Sequence, residues 1–157
     1  METKYDILSL KKQLCFPIYL CAKEIVRSYT PLLEKIDLTY TQYIVMMYFW
    51  EKRKSNVKTI GDTLLLDSST LTPLLKKLEH KGLITRVRSS NDERNLEINI
   101  TPKGLALRDP AVTIPTQMCQ CLNLTLEEAT TLYQLMNKII VITQNKKEKK
   151  SDAHHRS

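Results

Sequence analysis

The clearest pattern of apolar and polar positions in the chain is a helical one near its middle. Four leucines recur at the spacing of three and four residues that places side chains on one helix face: Leu71, Leu74, Leu75 and Leu78. Ser68 and Ser69 precede them and can accept hydrogen bonds from the free amides of a helix start, while Asp67 suits the positive end of the helix dipole. Gly82 lies where a C-cap glycine belongs. The pattern predicts a capped amphipathic helix that begins at Ser68.

The other face of this helix carries hydroxyl groups and cations. Its members are Ser68, Ser69, Thr70, Thr72, Lys76 and Lys77. Small hydroxyl side chains let a helix approach the edges of bases, and lysine side chains reach phosphates. We therefore expect this face to read the major groove of double-stranded DNA.

Two short segments after the glycine, 83–88 and 96–100, suit the strands of a two-stranded wing. The charged turn between them contains Asp92 and Arg94, and the first strand contains Arg86. Because a narrow A·T-rich minor groove attracts an arginine, we expect Arg94 to enter that groove, with Asp92 holding its guanidinium group. Arg86 is a further candidate for DNA contact. Helix and wing together predict a winged helix-turn-helix.

The rest of the pattern is almost entirely helical, so the fold class that we predict is mainly α with a small β wing. Residues 57–65 suit a short helix that forms the helix-turn-helix pair with the helix from Ser68. Residues 52–56 before it form a polar turn. Either Thr39 or Thr41 can cap the helix that precedes this turn.

Two apolar helical segments flank the winged domain in the sequence. The first spans residues 9–36, and the second follows a capping-box motif that runs from Thr125 to Glu128. Pro110 and Pro115 lie between the wing and the second segment, where they predict an irregular and mobile stretch. Both flanking segments carry more apolar residues than one winged domain requires.

These segments predict the domain organisation. Residues 39–101 are expected to form the winged helix-turn-helix domain, residues 1–38 and 102–145 a helical dimerisation region, and residues 146–157 a disordered basic tail. A homodimer of this kind places two reading helices one DNA turn apart on a pseudo-palindromic operator. The alternative is a monomer in which the flanking helices fold onto the winged core.

Charge and composition agree with a nucleic-acid partner. The chain has 157 residues, and 24 Lys and Arg against 17 Asp and Glu give a formal charge of +7. This charge suits a polyanion as partner, but it is also compatible with a protein that is merely basic.

No apolar run reaches membrane-spanning length and the N-terminus lacks the apolar core of a signal peptide, so we expect a cytoplasmic protein without membrane association. The one-residue gap between Cys119 and Cys121 fits no zinc site, so we expect neither a metal nor another cofactor.

Cys15 is the candidate for redox chemistry among the four cysteines. On a helix, Tyr19 lies one turn after it, and Tyr29 returns to nearly the same face. Lys11 and Lys12, one turn earlier, add positive charge. A cation or a phenol donor favours the thiolate, and a phenol beside the sulfur can stabilise the leaving oxygen of a peroxide. From the spacing alone, an ordinary buried cysteine among core tyrosines is the competing interpretation.

Pro17 permits two conformations of the backbone around this thiol. Inside a helix it removes the amide that would bond the carbonyl of Gln13, so either the helix bends there or its regular part begins at Pro17. In the second case Cys15 lies just before a helix N-terminus, whose positive potential favours a thiolate.

Several of these segments resemble one family of proteins. The order of the helices, the sequence DER at 92–94 in the wing and the sequence LTPLLKKLE at 71–79 together resemble the MarR family of dimeric bacterial transcription regulators, over residues 8–142. Three further sequences look like its thiol-based branch of organic hydroperoxide sensors, the OhrR-like proteins: QLCF at 13–16, LTYTQY at 38–43 and LDSSTLTP at 66–73.

The resemblance implies a repressor that leaves DNA when an organic peroxide, its inducer, oxidises Cys15. It also implies that Tyr29 and Tyr40 direct their hydroxyl groups across the dimer interface at Cys15 of the other subunit. In family members with a second cysteine, the oxidised thiol condenses with a resolving thiol of the other subunit. Cys119 or Cys121 is suitably placed for this, and the alternative is two cysteines of no function at the solvent edge.

Two other functions compete with redox sensing. A MarR-type regulator can be released by a small aromatic ligand, with Cys15 incidental; the apolar cluster around Met46 and Phe49 is a place for such a ligand, although core packing also explains it. An enzyme such as a thiol peroxidase is the weaker alternative, because no acid–base cluster accompanies the cysteine. We therefore expect a regulator and not an enzyme. Cys21, turned about 120° away from Cys15, is expected in the inert core.

Overall fold

The computed structural model describes residues 4–88 and 96–154, including the side chains of residues 4–87 and 96–145. Its helices are α1 (Cys15–Leu33), α2 (Tyr40–Lys52), α3 (Val57–Leu64), α4 (Ser68–His80), α5 (Pro102–Ala106), α6 (Arg108–Ala111), α7 (Ile114–Leu122) and α8 (Leu126–His154), with short 3-10 turns at Asp6–Leu8, Leu10–Lys12 and Glu34–Ile36. Its strands are β1 (Lys54–Asn56), β2 (Ile84–Arg88) and β3 (Leu96–Ile100). The predicted fold class, mainly α with a small wing, is confirmed. The chain forms two compact units, Met1–Met118 and Cys119–Ser157.

Helix α2 begins after a capping box centred on Thr39, which decides between the two candidate threonines. The Thr39 hydroxyl accepts a hydrogen bond from the Gln42 amide at 3.3 Å, and the Gln42 side chain accepts one from the Thr39 amide at 3.1 Å. The pair satisfies amides that a helix start would otherwise leave free. As a result, Tyr40 becomes the first residue of α2.

The sheet contains one strand that the sequence pattern did not predict. Residues that we expected to form a polar turn include β1, which pairs antiparallel with β3 from Lys54↔Asn99 to Asn56↔Glu97. Strand β2 pairs with the other edge of β3, so the strand order is β1-β3-β2. A polar strand of three residues has no apolar alternation, and its pairing depends on a partner that is distant in sequence. A local pattern therefore could not reveal it.

The two helices of the helix-turn-helix pair, α3 and α4, each begin with a side-chain cap. Asn56 accepts a hydrogen bond from the Thr59 amide at 2.8 Å, and Asp67 accepts one from the Thr70 amide at 2.8 Å. The cap of α4 is thus the aspartate itself, whereas we predicted that serine hydroxyls would take the free amides. A carboxylate at this position also complements the positive end of the helix dipole.

Gly82 ends helix α4 as predicted. Its φ of 70° lies in the left-handed region, which glycine adopts without a steric penalty. The Gly82 amide donates to the Glu79 carbonyl at 2.8 Å and the Leu83 amide to the Leu78 carbonyl at 3.0 Å, the two bonds of a Schellman motif. The chain thereby turns directly from α4 into β2.

The hydrophobic core of the first unit is formed by α2, the helix-turn-helix pair and the sheet. Its fully buried side chains include Val45, Met46, Phe49, Ile60, Leu71, Leu75, Leu78, Ile84 and Ile98. Burial of a side chain of this size stabilises the fold by about 1.5–3 kcal/mol. The apolar cluster of α2 is therefore core at Met46 and Phe49, whereas Met47 is exposed.

The stretch between the wing and the last helix is helical, and our prediction of an irregular segment was wrong. Pro110 is the third residue of α6 and Pro115 the second residue of α7. The amide of a residue in the first helical turn has no partner within the helix, so proline removes no hydrogen bond there. Ala111 and Ile114 are buried and hold these short helices in place.

The second unit contains the long helix α8. Its capping box is confirmed, because the Thr125 amide donates to the Glu128 carboxylate at 2.8 Å and the Glu128 amide donates to the Thr125 hydroxyl at 3.2 Å. The backbone of residues 146–154 continues this helix, where we predicted a disordered tail; residues 155–157 lie outside the described part. Lysine and glutamate favour helices, and extending a nucleated helix costs little.

Candidate DNA-reading face and thiol site

Helix α4 separates an apolar face from a polar one. The buried face consists of Leu71, Leu74, Leu75 and Leu78. The DNA contacts predicted on this helix are all exposed: Ser68, Ser69, Thr70, Thr72, Lys76 and Lys77. At about 100° per residue, Ser69 and Lys76 lie opposite the leucines, and the others surround them. Packing of the leucines thus presents the six polar side chains to solvent.

Asp67 orients two of these hydroxyl groups. The Ser69 hydroxyl donates to one carboxylate oxygen, and the Thr70 hydroxyl donates to the other at 3.2 Å. The hydrogen bond from the Ser69 hydroxyl makes the largest contribution to lowering the pKa of Asp67. The bonds from the Thr70 amide and hydroxyl lower it further. A hydroxyl group that donates one hydrogen bond still has lone pairs that accept others. Ser69 and Thr70 are therefore arranged as acceptors at the start of the helix.

Arg86, whose contact with DNA stays a prediction, pairs within the domain. Its guanidinium group bonds the Glu79 carboxylate near the end of α4, through Nε at 2.8 Å and through a terminal nitrogen at 2.6 Å. The hydrogen bond from Arg86 lowers the pKa of Glu79. The pair ties strand β2 to the reading helix, so we assign Arg86 a role in holding the wing. No local signal marks such a pair, since its partners lie on different elements.

The two other predicted wing contacts, Asp92 and Arg94, lie outside the described residues. The strands on either side of them pair antiparallel from Ile84↔Ile100 to Arg88↔Leu96. This pairing confirms the predicted wing, while the role of its charged residues stays a prediction.

A group of lysine contacts that the sequence analysis missed holds the C-terminal end of α4. The Lys81 amino group pairs with the Asp37 carboxylate at 3.0 Å and also donates to the Asp37 carbonyl. Lys103 of α5 donates to the Lys81 carbonyl at 2.7 Å. Asp37 ends the 3-10 turn Glu34–Ile36 after α1, with a φ of 51° in the left-handed region. The end of the reading helix is thus connected to the α1–α2 turn and to α5.

Cys15 is the first residue of α1 and is exposed. Pro17 is therefore the third residue of the helix, where its missing amide has no intrahelical partner to lose. The regular helix begins two residues before Pro17, which is neither of the starts that we considered. The Cys15 sulfur is accordingly accessible to a small solute such as a peroxide.

The other three cysteines are exposed as well. For Cys21 this corrects our expectation of a core position, because the side of α1 that carries it is not covered within the described chain. Cys119 and Cys121 lie on α7 and are about 200° apart around that helix. Only one of the two can therefore face a given neighbour.

Tyr29 of α1 and Tyr40 of α2 are brought together, with ring centroids 4.7 Å apart. Along α1, the fourteen residues from Cys15 to Tyr29 correspond to about 21 Å. This tyrosine pair cannot reach the Cys15 sulfur of its own chain. Tyr19 is one turn from Cys15 and 62% exposed, and it is separate from the pair.

Two aromatic residues to which the sequence analysis gave no role extend this pair. The Tyr43 ring lies 6.0 Å from the Tyr29 ring and 6.0 Å from the Trp50 ring. Burial raises the pKa of Tyr43, with a smaller contribution from Tyr40. The Trp50 indole donates to the Gly104 carbonyl at 2.8 Å. The seven-residue spacing of Tyr43 and Trp50, which places them on one helix face, was the available signal.

Exposed apolar side chains concentrate at two places. The N-terminal segment contributes Ile7, Leu8, Leu10 and Leu14, and α8 contributes Leu132, Leu135, Ile139 and Ile142. None of the described helices is long and apolar enough to cross a membrane. Within the same residues, no group of three or more His, Cys, Asp or Glu side chains is placed to hold a metal ion.

Comparison with known proteins finds relatives over most of the chain. A family profile of the transcriptional regulators SarA/Rot matches residues 27–109. The organic hydroperoxide resistance transcriptional regulator of Bacillus subtilis is 47% identical over 115 residues, which cover 73% of this chain and 78% of that protein. The HTH-type transcriptional regulator SarZ of Staphylococcus saprophyticus is 44% identical over 140 residues, which cover 89% of this chain and 94% of that protein.

Solved structures share the fold. The overoxidised form of AbfR bound to DNA, a protein of Staphylococcus epidermidis, superimposes with a TM-score of 0.71 at 30% identity and covers 90% of this chain and 99% of that one. A mutant of MarR from E. coli complexed with operator DNA superimposes with a TM-score of 0.77 at 23% identity. The match covers 88% of this chain and 99% of that one. The second likeness concerns the fold alone.

Proposed function

The chain belongs to the MarR family of DNA-binding transcription regulators, and we propose that it is a homodimeric repressor that senses peroxide through Cys15 and then leaves its operator. Its relatives are regulators of transcription and not enzymes. The observation that carries the proposal is the separation of the exposed Cys15 from the Tyr29–Tyr40 pair, which suits two protomers that complete each other's site. The name of the Bacillus relative supports an organic hydroperoxide as the signal.

The exposed apolar surface supports the homodimer. On α8, Leu132, Leu135, Ile139 and Ile142 repeat at spacings of three and four residues and form a continuous stripe. Scattered apolar residues are common on protein surfaces, but a stripe along a helix needs a partner that covers it. A second copy of the chain carries the same stripe, so the two stripes can cover each other. Two-fold symmetry then presents two reading helices to the DNA.

In this dimer the tyrosines of one protomer serve the thiol of the other. The hydroxyl groups of Tyr29 and Tyr40 then lie beside Cys15 of the second protomer. A phenol donates a hydrogen bond to the peroxide oxygen that becomes negative as the O–O bond breaks. Each dimer has two such sites, and neither is complete in a single chain.

The chemical step moves one oxygen atom onto sulfur. The Cys15 thiolate attacks the terminal oxygen of the hydroperoxide, so that an S–O bond forms as the O–O bond breaks and two electrons pass from sulfur to the peroxide. The leaving alkoxide takes up one proton and departs as an alcohol. This proton balances the one that the thiol released when it formed the thiolate. The cysteine is left as a sulfenic acid.

A second thiol completes the reaction. The sulfenic acid condenses with a thiol of the other protomer, forming an S–S bond and releasing water. Cys119 and Cys121 are both exposed and are the two candidates. Because they point in different directions from α7, one of them is the resolving thiol, and we expect Cys119 before Cys121.

Disulfide formation converts this chemistry into DNA release. A disulfide requires the two Cα atoms to lie within roughly 7 Å of each other, so α7 of one protomer must approach α1 of the other. The two reading helices have to stay one DNA turn apart, about 34 Å, to occupy successive major grooves. A shift of one protomer against the other changes this spacing and weakens binding to both half-sites.

The operator contacts follow from the exposed face of α4. The hydroxyl groups of Ser69 and Thr70 donate hydrogen bonds to Asp67 and accept hydrogen bonds from the amino groups of bases in the major groove. Lys76 and Lys77 reach the phosphates, which gives affinity without sequence information. A DNA partner supports a location in the cytoplasm.

Reversible DNA release tests the proposal. The reduced protein selects its operator from a random-sequence DNA pool, and the complex is then treated with cumene hydroperoxide and afterwards with dithiothreitol. We expect binding to be lost and then restored. A complex that withstands the peroxide but dissociates with a small aromatic acid such as benzoate would support the competing ligand-released regulator, in which Cys15 is incidental.

A further inference from the structure

We infer that Trp50 and Tyr43 position the wing relative to the Tyr29–Tyr40 pair, so that a change at the sensing thiol reaches the DNA-binding domain along α2. The inference rests on the proposed function, because Cys15 must be the sensor for it to operate. Trp50 is a positioning residue in this scheme, since it acts through Gly104 and contacts neither the peroxide nor the DNA.

An aromatic stripe runs along one side of α2. Tyr40, Tyr43 and Trp50 are separated by three and seven residues, which places them on one helix face. Tyr43 is 2% exposed, and its ring centroid lies 6.0 Å from that of Tyr29 and 6.0 Å from that of Trp50. Ring contacts are therefore continuous from the tyrosine pair to the far end of the stripe.

Trp50 connects this stripe to the base of the wing. Its indole N–H donates to the Gly104 carbonyl on α5 at 2.8 Å. Gly104 itself lies so close to the chain before β2 that a Cβ atom there would be 2.1 Å from the Leu83 carbonyl oxygen and 2.9 Å from Cγ1 of Ile100. Leu83 directly precedes β2, and Ile100 is the last residue of β3. A movement of the indole is thus passed to both strands of the wing.

The parts of this connection are stiff. Ten residues of helix separate Tyr40 from Trp50, about 15 Å, and a helix transmits a shift at one end to the other. The Tyr43 and Trp50 rings meet at 69°, an edge-to-face arrangement that fixes the orientation of the indole. Close packing leaves little free volume in which a displacement of these rings is absorbed.

Core packing alone does not account for the indole N–H. A phenylalanine would fill most of the same space, but only the indole satisfies the Gly104 carbonyl at this distance. When oxidation of the thiol changes the bonding of the tyrosine hydroxyl groups, the Tyr29–Tyr40 pair repacks and the buried Tyr43 moves with it. The Trp50 bond then draws Gly104, and with it the wing, to a second position.

The variant Trp50→Phe tests this connection, because it keeps an aromatic ring and loses the donor. Tyr48→Phe is the matched control: Tyr48 also lies on α2, and its hydroxyl bonds Ser55 at 2.8 Å, outside the stripe. Sulfenic acid formation at Cys15 is followed with dimedone, and the Kd for DNA is measured before and after oxidation. We expect Trp50→Phe to oxidise at the parental rate and to bind DNA as tightly as the control does when reduced. Its ratio of oxidised to reduced Kd should fall by about fivefold or more, while the ratio of the control stays parental.

Two results would overturn the inference. One is a Trp50→Phe protein that leaves DNA at the parental dose of peroxide. The other is a variant whose reduced affinity is weakened while its ratio of the two Kd values is parental, which is the result of a merely structural role. Failure of the proposed function is seen separately, in a parent protein whose Cys15 is not oxidised or whose oxidation leaves DNA binding unchanged.

Intrinsic fluorescence tests the same connection without a variant in the stripe. Trp50 is the only tryptophan of the chain, so the emission of the parent protein reports its surroundings alone. We expect the emission to change when peroxide oxidises the parent and to stay constant in Cys15→Ser. An unchanged emission in a parent protein that has been oxidised and has left DNA would rule out a movement of Trp50.

Discussion

The rings of Tyr29 on α1 and Tyr40 on α2 pack with their centroids 4.7 Å apart and their planes tilted by 48°. The contact brings two phenol rings from different helices together. Because Tyr29 lies about 21 Å along α1 from Cys15, the pair cannot serve the thiol of its own chain, and the proposed function assigns it to the thiol of another protomer. Thiol sensing and dimerisation are therefore inseparable in the proposed function.

Replacing Cys15 by serine should separate sensing from DNA binding. Cys15 lies on α1 and the reading face on α4, so we expect the variant to bind its operator with parental affinity and to stay bound in peroxide. The measurement is fluorescence anisotropy of labelled operator during a titration with cumene hydroperoxide. Cys21→Ser is the matched control, an exposed thiol on the same helix that should leave the response unchanged. Release of Cys15→Ser at the parental dose would place the sensor elsewhere.

Removing the hydroxyl group of Tyr29 or Tyr40 should slow the oxidation of Cys15. Phenylalanine keeps the ring packing and loses the donor to the leaving oxygen. We expect a loss of about tenfold in the second-order rate constant for cumene hydroperoxide, less than the roughly 10²–10³-fold loss at a dedicated oxyanion site. Tyr133→Phe, at a tyrosine that is 72% exposed on α8, is the control for loss of a phenol. Parental rates in both Tyr29→Phe and Tyr40→Phe would remove the tyrosines from the mechanism.

Peroxide should produce a covalent dimer joined by Cys15 and either Cys119 or Cys121. Non-reducing gels should show it in the parent protein and lose it in Cys15→Ser and in the variant with both Cys119→Ser and Cys121→Ser. The single variants identify the resolving thiol. A product of monomer size, carrying a sulfenic acid or a mixed disulfide with a small thiol, would instead assign the protein to the one-cysteine class.

Loss of Arg94 should weaken DNA binding and relax the preference for an A·T-rich flank. The guanidinium group is expected in the narrow minor groove beside each half-site, so Arg94→Ala should cost about 1–3 kcal/mol per site. Affinities for operators with A·T-rich and G·C-rich flanks are compared at one salt concentration. Arg27→Ala, at an exposed arginine of α1, controls for the loss of one charge. Equal binding by Arg94→Ala and Arg27→Ala would contradict the wing contact.

The Glu79–Arg86 pair should make wing stability depend on pH. The hydrogen bond from Arg86 holds the pKa of Glu79 below its usual value of 4.5. Because the folded-state pKa is the lower one, the pair contributes fully above about pH 4.5 and loses its contribution as the pH falls through the folded-state pKa. Glu79→Gln should therefore reduce the free energy of unfolding at neutral pH by up to about 1 kcal/mol, the range for a partly exposed pair. Urea unfolding across this pH range measures the difference from the parent, which should vanish in acid; a difference independent of pH would contradict the assignment.

The sequence by itself determined those features that depend on near neighbours. The leucine period from Leu71 to Leu78 defines the buried face of α4, since residues three and four apart share a side of any helix. Gly82 marks the end of that helix, because few other residues adopt a positive φ without strain. The capping box of α8 is equally local. Residue type and spacing, together with a family resemblance, also identified Cys15 and its tyrosines as candidates for redox sensing, which stays a prediction.

Only the tertiary structure decided which distant residues meet. It pairs strand β1 with β3, forms the ion pair between Arg86 and Glu79, and forms the hydrogen bond from the Trp50 indole to the Gly104 carbonyl. A hydrophobic period shows which face of an element is buried, but it does not name the element that covers it. Hydrogen bonds and ion pairs between separate elements depend on side chains that packing brings within about 3 Å. The line of contacts from the tyrosine pair to the wing therefore became visible only once the chain was folded.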